Sequence, residues 1–231
     1  MKTQAIVVAA GQGTRLNSAL PKALILLEGK PLVSYALRVL QKSSLIQSII
    51  VVGAGNYLTR FEKIVKQNHL SKVKKIIPGG KTRRESVACG LLALDNDTKR
   101  VLIHDSARPF VTQKLIARCL VKMGKEKGVV AAVPVKPTIK AVHPKTFVIE
   151  KTLERSCLWE IQTPQVFSRE VICRAHRRIK DKNPSDDALL VEKLGFKVKV
   201  VLGDYQNIKV TTKEDLIFAK AILFSQRKKG Q

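Results

Sequence analysis

The chain is poor in aromatic residues and has no long apolar run. Phe, Trp and Tyr make up 5% of its 231 residues, too few for the stacking platforms that commonly hold single-stranded nucleic acid. A membrane-spanning helix needs roughly 18 consecutive apolar residues, and no run approaches that length. The first apolar strand is followed at once by polar Gly-Gln-Gly-Thr-Arg, which argues against a secretory signal. We therefore expect neither a membrane span nor a signal peptide.

Cysteine is also scarce and is not clustered. The four cysteines (Cys89, Cys119, Cys157 and Cys173) form no Cys-x-x-Cys pair and do not group with histidine. Zinc sites and disulfide frameworks both need such groupings. The pattern therefore predicts free thiols and a cytoplasmic protein.

Acidic residues are few relative to basic ones. The chain has 43 Lys and Arg against 18 Asp and Glu, a formal net charge of +25. Such a charge attracts polyanions, and a basic nucleic-acid-binding protein is therefore a distant alternative. However, the charges are scattered along the whole chain, with no block longer than Arg227-Lys228-Lys229. We favour a generally basic surface with no specific nucleic-acid partner.

Apolar runs and helical periodicity alternate along most of the chain, which has 45% hydrophobic residues. This alternation predicts one α/β domain over residues 1–231, with a mostly parallel sheet covered by helices on both faces. Strands are predicted at 4–9, 48–52, 74–77, 100–104, 128–135, 197–201 and 208–210. Helices are predicted at 32–40, 57–69, 82–94, 112–125, 169–179, 186–194 and 213–225, the one at 82 opening with a capping box.

The alternation breaks after Pro134-Val135-Lys136-Pro137. Two short β-branched pieces, 138–142 and 146–149, flank His143-Pro144-Lys145 and predict a hairpin. Because such an insertion cannot bury both its faces alone, it is either a mobile lid or a dimerisation arm. We favour an arm at about 136–157.

A glycine loop follows the first strand and predicts a phosphate site. Ala5–Ala10 runs into Gly11-Gln12-Gly13-Thr14-Arg15-Leu16, and Pro21-Lys22 follows. Glycines let backbone N–H groups approach phosphate oxygens, while Arg15 and Lys22 supply positive charge. Ligands of such sheets bind beyond the carboxyl ends of the strands. We therefore expect this loop, Gly79-Gly80 and Asp105 to converge.

Two commoner phosphate motifs fit poorly. A dinucleotide fingerprint needs a third glycine where the chain has Leu16, and Pro21 interrupts the helix that would follow. The second strand also ends without an acidic residue for a ribose. Gly80-Lys81-Thr82 imitates the end of a P-loop, but Lys75 stands where its first glycine belongs.

A third motif matches better. Ala9 to Arg15 with Pro21-Lys22 resembles the signature of nucleotidyltransferases with a glycosyltransferase-A-like (Rossmann-like) fold, a three-layer α/β/α arrangement. Four further motifs follow in order: Gly79-Gly80-x-x-Arg83-x-x-Ser86-Val87, His104-Asp105-Ser106-Ala107-Arg108-Pro109, Thr163-Pro164-Gln165 and Asn207-Ile208-Lys209-Val210-Thr211. Together they are similar to the 2-C-methyl-D-erythritol 4-phosphate cytidylyltransferases of the non-mevalonate isoprenoid pathway.

The resemblance implies CMP transfer from CTP to methylerythritol phosphate, with release of pyrophosphate and dependence on Mg²⁺ or another divalent cation. It implies that Arg15 and Lys22 stabilise the transition state and that Arg155 and Lys209 position the second substrate. It also implies a homodimer, in which Thr138 and Arg155 of the arm complete the partner's site. The implied CTP contacts are Ala9, Ala10, Gly11, Gly13, Gly80, Ser86 and Ser106. The implied substrate contacts are Asp105, Arg108, Thr138 and Thr163, with Asp105 also the candidate metal ligand.

Several interpretations stay open beside these. The same residues suit another polyol phosphate, such as ribitol 5-phosphate. Asp105 could instead cap a loop and bind Arg108, and Ser86 could satisfy backbone groups at a helix start. His104 is interpreted as a structural residue. Three departures from the family pattern are Lys81, Ser106 and Gln206, the last of which weakens the case for a second carboxylate near a metal.

Overall fold

The structure, a computed structural model, describes residues 1–13, 16, 18–181 and 183–229. The strands are β1 (Thr3–Ala9), β2 (Leu26–Leu27), β3 (Lys30–Pro31), β4 (Ser48–Gly53), β5 (Val73–Pro78), β6 (Arg100–Asp105), β7 (Gly128–Pro134), β8 (Lys140–Val142), β9 (Ile149–Thr152), β10 (Trp159–Ser168) and β11 (Lys199–Leu202). The helices are α1 (Leu32–Lys42), α2 (Leu58–Gln67), α3 (Arg83–Leu92), α4 (Gln113–Met123), α5 (Arg169–Arg178), α6 (Asp187–Lys193) and α7 (Lys213–Lys229).

A seven-stranded sheet in the order β11-β7-β10-β6-β1-β4-β5 forms the centre. Strand β10 is antiparallel to both of its neighbours, and the other neighbouring pairs are parallel. The predicted mostly parallel sheet is thus confirmed. In a parallel sheet the strands end at the same edge, so β1, β4, β5 and β6 present their carboxyl ends side by side.

Alternation along the strands divides the core into two layers. Ala5, Val7 and Ala9 of β1 pack on one face with helices α1, α2 and α4. Ile6 packs on the other face with α3, α5 and α6. Because successive strand side chains point to opposite faces, nearly continuous apolar strands can fill both layers. The three-layer α/β/α arrangement predicted from the sequence is therefore present.

The hairpin of the arm lies outside the central sheet. Strands β8 and β9 form a separate antiparallel pair, which confirms the hairpin. The second strand was wrongly placed at 146–149, because it begins at Ile149. The turn is longer than predicted: the Phe147 N–H donates to the His143 carbonyl (2.9 Å), and Phe147 has a positive φ of 56°.

Most of the other predicted strands and helices lie close to their observed positions. No strand forms at 208–210, because the Val210 N–H bonds to the Ala107 carbonyl of a loop and Val210 packs beside α7. Strand β10 and the two short strands β2 and β3 were not predicted. No helix in the described part of the chain is long and apolar enough to cross a bilayer.

Candidate active site

The glycine loop, the turn after β5 and the end of β6 meet at one edge of the sheet. The Ser106 N–H donates to the Val8 carbonyl of β1 (3.0 Å), and the Gly79 N–H donates to the Gly53 carbonyl of β4 (2.8 Å). A Cβ on Gly79 would lie 2.5 Å from the Ala10 Cβ. The convergence predicted from the sequence is therefore confirmed.

The glycine loop folds back on Lys22. The Lys22 N–H donates to the Gly11 carbonyl (3.0 Å), and the Leu16 N–H donates to the Gly13 carbonyl (2.8 Å). Gly13 has a φ of +72°, which favours glycine, and a Cβ there would lie 3.2 Å from the Lys22 backbone nitrogen. Lys22 is thus held beside the loop, as predicted. Arg15 lies outside the described residues.

The turn at Gly79 and Gly80 packs against the first turn of α3. Thr82 and Glu85 form the predicted capping box at the start of this helix. The Ser86 hydroxyl donates to the Thr82 carbonyl (2.9 Å) and lies 2.7 Å from where a Gly79 Cβ would be. Ser86 is therefore bonded within its own helix start, the local role that the sequence left open.

Asp105, the last residue of β6, lies between two cations. Its Oδ2 is 2.6 Å from the Lys209 Nζ, and its Oδ1 is 3.0 Å from the Arg83 Nε. Burial raises the pKa of this carboxyl, but the charges of Arg83 and Lys209 outweigh burial and hold the pKa well below its usual range. Asp105 is therefore a carboxylate at neutral pH. The alternative of a loop contact to Arg108 holds only for the backbone, where the Arg108 N–H donates to the Asp105 carbonyl (3.0 Å), whereas the carboxylate binds Arg83 and Lys209.

A buried hydrogen-bond network fixes the backbone at Asp105. The His104 Nε2 contacts the Arg108 carbonyl (3.1 Å), and its Nδ1 contacts the Thr163 hydroxyl (2.9 Å). Because a carbonyl only accepts, Nε2 carries the proton and Nδ1 accepts from Thr163. The Thr163 oxygen in turn accepts from the Asp105 N–H (3.1 Å). Burial lowers the pKa of His104 to about 4, so the ring is neutral. His104 is structural, as interpreted.

Arg108 and Asn207 join this edge to the loop before α7. The Arg108 Nη1 donates to the Asn207 carbonyl (2.7 Å), and the Asn207 amide donates to the Thr163 carbonyl (2.8 Å). The Arg108 Nε is buried and has no hydrogen-bond partner among the described residues. Burial lowers the pKa of this guanidinium. Arg108 and Asn207 therefore place Lys209 opposite Asp105.

A cavity of about 410 Å³ opens beside the Asp105–Lys209 pair. Its lining includes the polar residues Arg83, Asp105, Arg108, Thr163 and Lys209. Apolar residues including Val130, Ala188, Leu189, Val198 and Val200 also line it, together with the polar Ser185, Asp186 and Glu192. The structure thus gathers Asp105, Arg108, Thr163 and Lys209 at one cavity.

The arm residues lie elsewhere in the same chain. Thr138 and Arg155 line a second cavity of about 570 Å³ between the arm and the end of β7. The Arg155 Nη1 donates to the Lys136 carbonyl (2.9 Å), and the side chain is exposed. The described residues of this cavity and those of the Asp105 cavity do not overlap. Within one protomer the structure does not bring Arg155 and Thr138 together with Lys209.

A family model described as 2-C-methyl-D-erythritol 4-phosphate cytidylyltransferase matches residues 3–225. The chain belongs to this family. A protein of that name from Alkaliphilus metalliredigens is 46% identical over 100% of this chain and 96% of its own length. One from Caldanaerobacter subterraneus is 40% identical over 96% and 99%.

Solved structures of the cytidylyltransferase family share the fold. The 4-diphosphocytidyl-2C-methyl-D-erythritol synthase of Anaerococcus prevotii superposes with a TM-score of 0.83 at 31% identity, covering 96% of this chain and 98% of that one. The Thermus thermophilus cytidylyltransferase gives 0.77 at 30% identity, covering 94% and 97%. The resemblance and the nucleotidyltransferase fold inferred from the sequence motifs are confirmed.

A metal ion for a member of this family would find the Asp105 carboxylate at the polar strand edge, while Asp186, at the N-cap of α6, and Glu192, within α6, line the same cavity. Among the described residues, no three His, Cys, Asp or Glu side chains are grouped to hold a metal. Asp105 is the carboxylate beside Lys209. Mg²⁺ commonly binds one or two carboxylates together with substrate phosphates. The donor set therefore fits an ion held mainly by phosphate oxygens, with Asp105 as its candidate protein ligand.

Three residues of the site region were not predicted as site residues. Arg83 stood in a quoted motif without a role, and Asp187 and His176 were not singled out. In the structure the Arg83 Nη1 lies 2.7 Å from Asp187, which lies 3.0 Å from His176. The sequence signal for Arg83 was weak, because an arginine at the start of a helix is ordinary. The adjacent acidic residues Asp186 and Asp187 before an apolar helix were the one signal that pointed to a buried carboxylate.

Proposed function

We propose that the protein transfers CMP from CTP to 2-C-methyl-D-erythritol 4-phosphate, giving 4-diphosphocytidyl-2-C-methyl-D-erythritol and pyrophosphate. The structural observation that carries this proposal is the Lys209–Asp105 pair, 2.6 Å apart, at the strand edge that also bears the glycine loop and Lys22. Family membership indicates the two substrates. The reaction belongs to the synthesis of isoprenoid precursors, and we place it in the cytoplasm.

The chemistry needs charge neutralisation more than a base. The attacking group is a phosphate monoester whose second pKa is about 6, so it is largely dianionic at neutral pH. Attack on the α-phosphorus of CTP therefore needs no proton removal. The buried neutral His104, whose two ring nitrogens both have partners, fits this scheme because it is not placed to act as a base. The barrier lies in bringing two anions together in line.

Lys22 and Lys209 are proposed to approach the reacting phosphates from opposite sides. Lys22, beside the glycine loop, would neutralise charge that develops on the α-phosphate, together with Arg15. Lys209 would hold the phosphate of methylerythritol phosphate. An ammonium has three donors, so Lys209 can keep its bond to Asp105 and still donate to a phosphate oxygen. Asp105 thus aims the ammonium into the cavity.

The nucleotide is proposed to lie along the strand edge. A Cβ on Gly79 would lie 2.5 Å from the Ala10 Cβ, so the two backbones pack closely at this edge. Backbone N–H and C=O groups can read the edge of a base, and small residues permit that approach. The proposed contacts are Ala9, Ala10, Gly11, Gly13, Gly80, Ser86 and Ser106. Arg108, whose Nε lacks a partner among described residues, and Thr163 are proposed to support the second substrate.

Mg²⁺, with Asp105 as its proposed protein ligand, would supply further neutralisation of the triphosphate. The residues around Asp105 set limits on this role. Both carboxylate oxygens already have cationic partners, Arg83 and Lys209. An ionised carboxylate has about four acceptor sites, so Asp105 could hold a metal ion while it keeps its contacts to Arg83 and Lys209.

We also propose a homodimer in which the arm completes the partner's site. Arg155 and Thr138 lie in a cavity apart from Lys209 in their own chain. The arm exposes large apolar side chains, including Phe147 (81%), Val148 (61%) and Ile149 (59%). Exposed apolar groups at the tip of a hairpin favour burial against another chain. A two-fold partner is the simplest such surface.

The test is pyrophosphate release from CTP and Mg²⁺ with methylerythritol phosphate or ribitol 5-phosphate supplied separately. We expect release with methylerythritol phosphate and a large loss in Lys22→Ala. Activity with ribitol 5-phosphate alone would overturn the substrate assignment. The exposed Lys220→Ala serves as a matched control for charge, since Lys220 lies on α7 away from the cavity residues.

A further inference from the structure

A buried chain of charged side chains runs from the candidate site into the helical layer behind it. The Arg83 Nε lies 3.0 Å from Asp105, and its Nη1 lies 2.7 Å from Asp187. The other oxygen of Asp187 lies 3.0 Å from the His176 Nε2. This series of ion pairs thus links the end of β6 to the first residues of α3 and α6 and to α5.

We infer that Asp187 and His176 are positioning residues, which act through Arg83 to fix the Asp105 carboxylate at the site. The inference rests on the proposed function, because the importance of Asp105 follows from that reaction. Within the described part of the chain, the side-chain hydrogen bonds of Asp187 and His176 reach neither Asp105 nor Lys209. Their effect on the reaction would therefore be indirect.

The geometry of Arg83 makes one contact depend on the other. A guanidinium is planar, and its Nε and Nη1 donors have a fixed relative direction. When Nη1 is held by Asp187, Nε is aimed at Asp105 Oδ1. Lysine cannot reproduce this, because its single ammonium carries no second fixed donor. Loss of Asp187 would leave Arg83 free to rotate away from Asp105.

Burial explains why Asp187 needs this arrangement. Its side chain is 2% exposed, and that of His176 is 4% exposed. Burial raises the pKa of Asp187, but the charge of Arg83 and the hydrogen bond from His176 outweigh burial and keep the pKa below its usual value. An unpaired carboxylate there would be costly. Arg83 and Lys209 together balance the charges of Asp105 and Asp187.

His176 is the last side chain in this series of ion pairs and fixes the Asp187 carboxylate. A carboxylate only accepts, so the His176 Nε2 donates to Asp187 Oδ1. Its Nδ1 is buried and has no hydrogen-bond partner among the described residues. The histidine therefore serves Asp187 through one nitrogen. With Oδ1 held by His176 and Oδ2 held by Arg83, the Asp187 carboxylate cannot turn freely.

The neighbouring Arg84 provides a matched control. It stands on the same turn of α3, and its guanidinium donates to the main-chain carbonyls of Asp181 (2.5 Å) and His176 (3.0 Å). Arg84 thus joins α3 to α5 and to the segment after α5, and its hydrogen-bond partners among the described residues include neither Asp105 nor Asp187. Its loss should affect stability alone.

The experiment measures kcat, KM for CTP and thermal stability for Arg83→Gln, Asp187→Asn, His176→Gln and Arg84→Gln. We expect Arg83→Gln and Asp187→Asn to lower kcat on the order of tenfold or more, because small displacements at a reacting centre are costly. KM for CTP should change little, and His176→Gln should show a smaller loss of kcat. Arg84→Gln should lower thermal stability and leave kcat near wild type. If kcat of Arg83→Gln and Asp187→Asn equals that of Arg84→Gln, at a temperature where each variant is folded, the inference is overturned.

A double-mutant cycle separates positioning from general destabilisation. If Asp187 acts through Asp105, Asp187→Asn should cost little further kcat in an Asp105→Asn background. Full additivity would contradict the inference. Crystal structures of wild type and Arg83→Gln give a readout without activity: the Lys209–Asp105 contact should change in the variant. An unchanged contact would overturn the inference, whereas an inactive wild type would overturn only the proposed function.

Discussion

The Lys209 ammonium lies 2.6 Å from the Asp105 carboxylate, although the two residues are 104 positions apart in the sequence. Asp105 ends β6, and Lys209 lies in the loop before α7. The pair is held by the buried contacts of Arg108 and Asn207 behind it. A cation fixed in this way is preorganised for a phosphate.

Lys209→Met should lower kcat/KM for methylerythritol phosphate by about 10²-fold to 10³-fold, since a single electrostatic contact to a transition state is commonly worth that much. KM for CTP should change less, because we assign the triphosphate to Lys22 and the glycine loop. Steady-state kinetics with each substrate varied in turn measure both effects. Lys213→Met, at an exposed position at the start of α7, is the control and should behave as wild type.

Mixing two inactive variants should restore activity if the arm serves the partner's site. Lys22→Ala and Arg155→Ala damage the two halves of a shared site, so a mixed dimer keeps one intact site. Random exchange of subunits would restore about a quarter of wild-type activity. The assay is pyrophosphate release before and after co-incubation. No recovery, with subunit exchange shown by mass, would contradict the shared site.

Glycines 79 and 11 should respond differently to alanine. A Cβ on Gly79 would lie 2.5 Å from the Ala10 Cβ and 2.7 Å from the Ser86 Oγ, whereas one on Gly11 meets nothing within 4 Å. Gly79→Ala should therefore destabilise the fold by ~1–3 kcal/mol, typical of overpacking. Gly11→Ala should unfold like wild type but bind CTP more weakly, if the loop approaches the phosphates. Urea unfolding and CTP titration separate the two effects.

Stability should fall in mild acid because of His104. Burial lowers the pKa of His104 to about 4, below the ordinary value of 6.5. Between these values the unfolded chain binds more protons than the native protein, so stability decreases as pH falls below 6.5 and this loss levels off near pH 4. The contribution is about 3 kcal/mol at most, from 1.36 kcal/mol per pKa unit.

The measurement for His104 is urea unfolding at pH 7.5, 5.5 and 4.5 for wild type and His104→Gln. The variant should be less stable at pH 7.5 and should lose less stability on acidification. Identical pH dependence in the two proteins would contradict the role assigned to the neutral imidazole.

The sequence predicted the parallel strands well because they are buried on both faces and form continuous apolar runs, as in Ser48–Gly53. It missed β10, whose middle contains Thr163-Pro164, since proline usually argues against an interior strand. Pro164 fits within β10 because the pairing of β10 with β7 shifts register between Ile161 and Gln165. The strand predicted at 208–210 was wrong, because its β-branched residues pack against α7 instead.

The site was predictable to the extent that its residues stand at strand ends. Asp105 and Gly79-Gly80 follow directly from that position, and Lys209 followed from the family motif. The pairing of Asp105 with Arg83 could not be inferred, because it depends on how α3 and α6 approach the sheet. The same reason hid Asp187, which is 82 positions from Asp105 but one side chain away through Arg83.

The most direct test of the proposed function compares all four nucleoside triphosphates with methylerythritol phosphate and Mg²⁺, in wild type and Lys22→Ala. We predict pyrophosphate release with CTP in wild type, little with ATP, GTP or UTP, and a loss of orders of magnitude in Lys22→Ala. The absence of pyrophosphate release from CTP by the folded wild-type protein would contradict the assigned reaction.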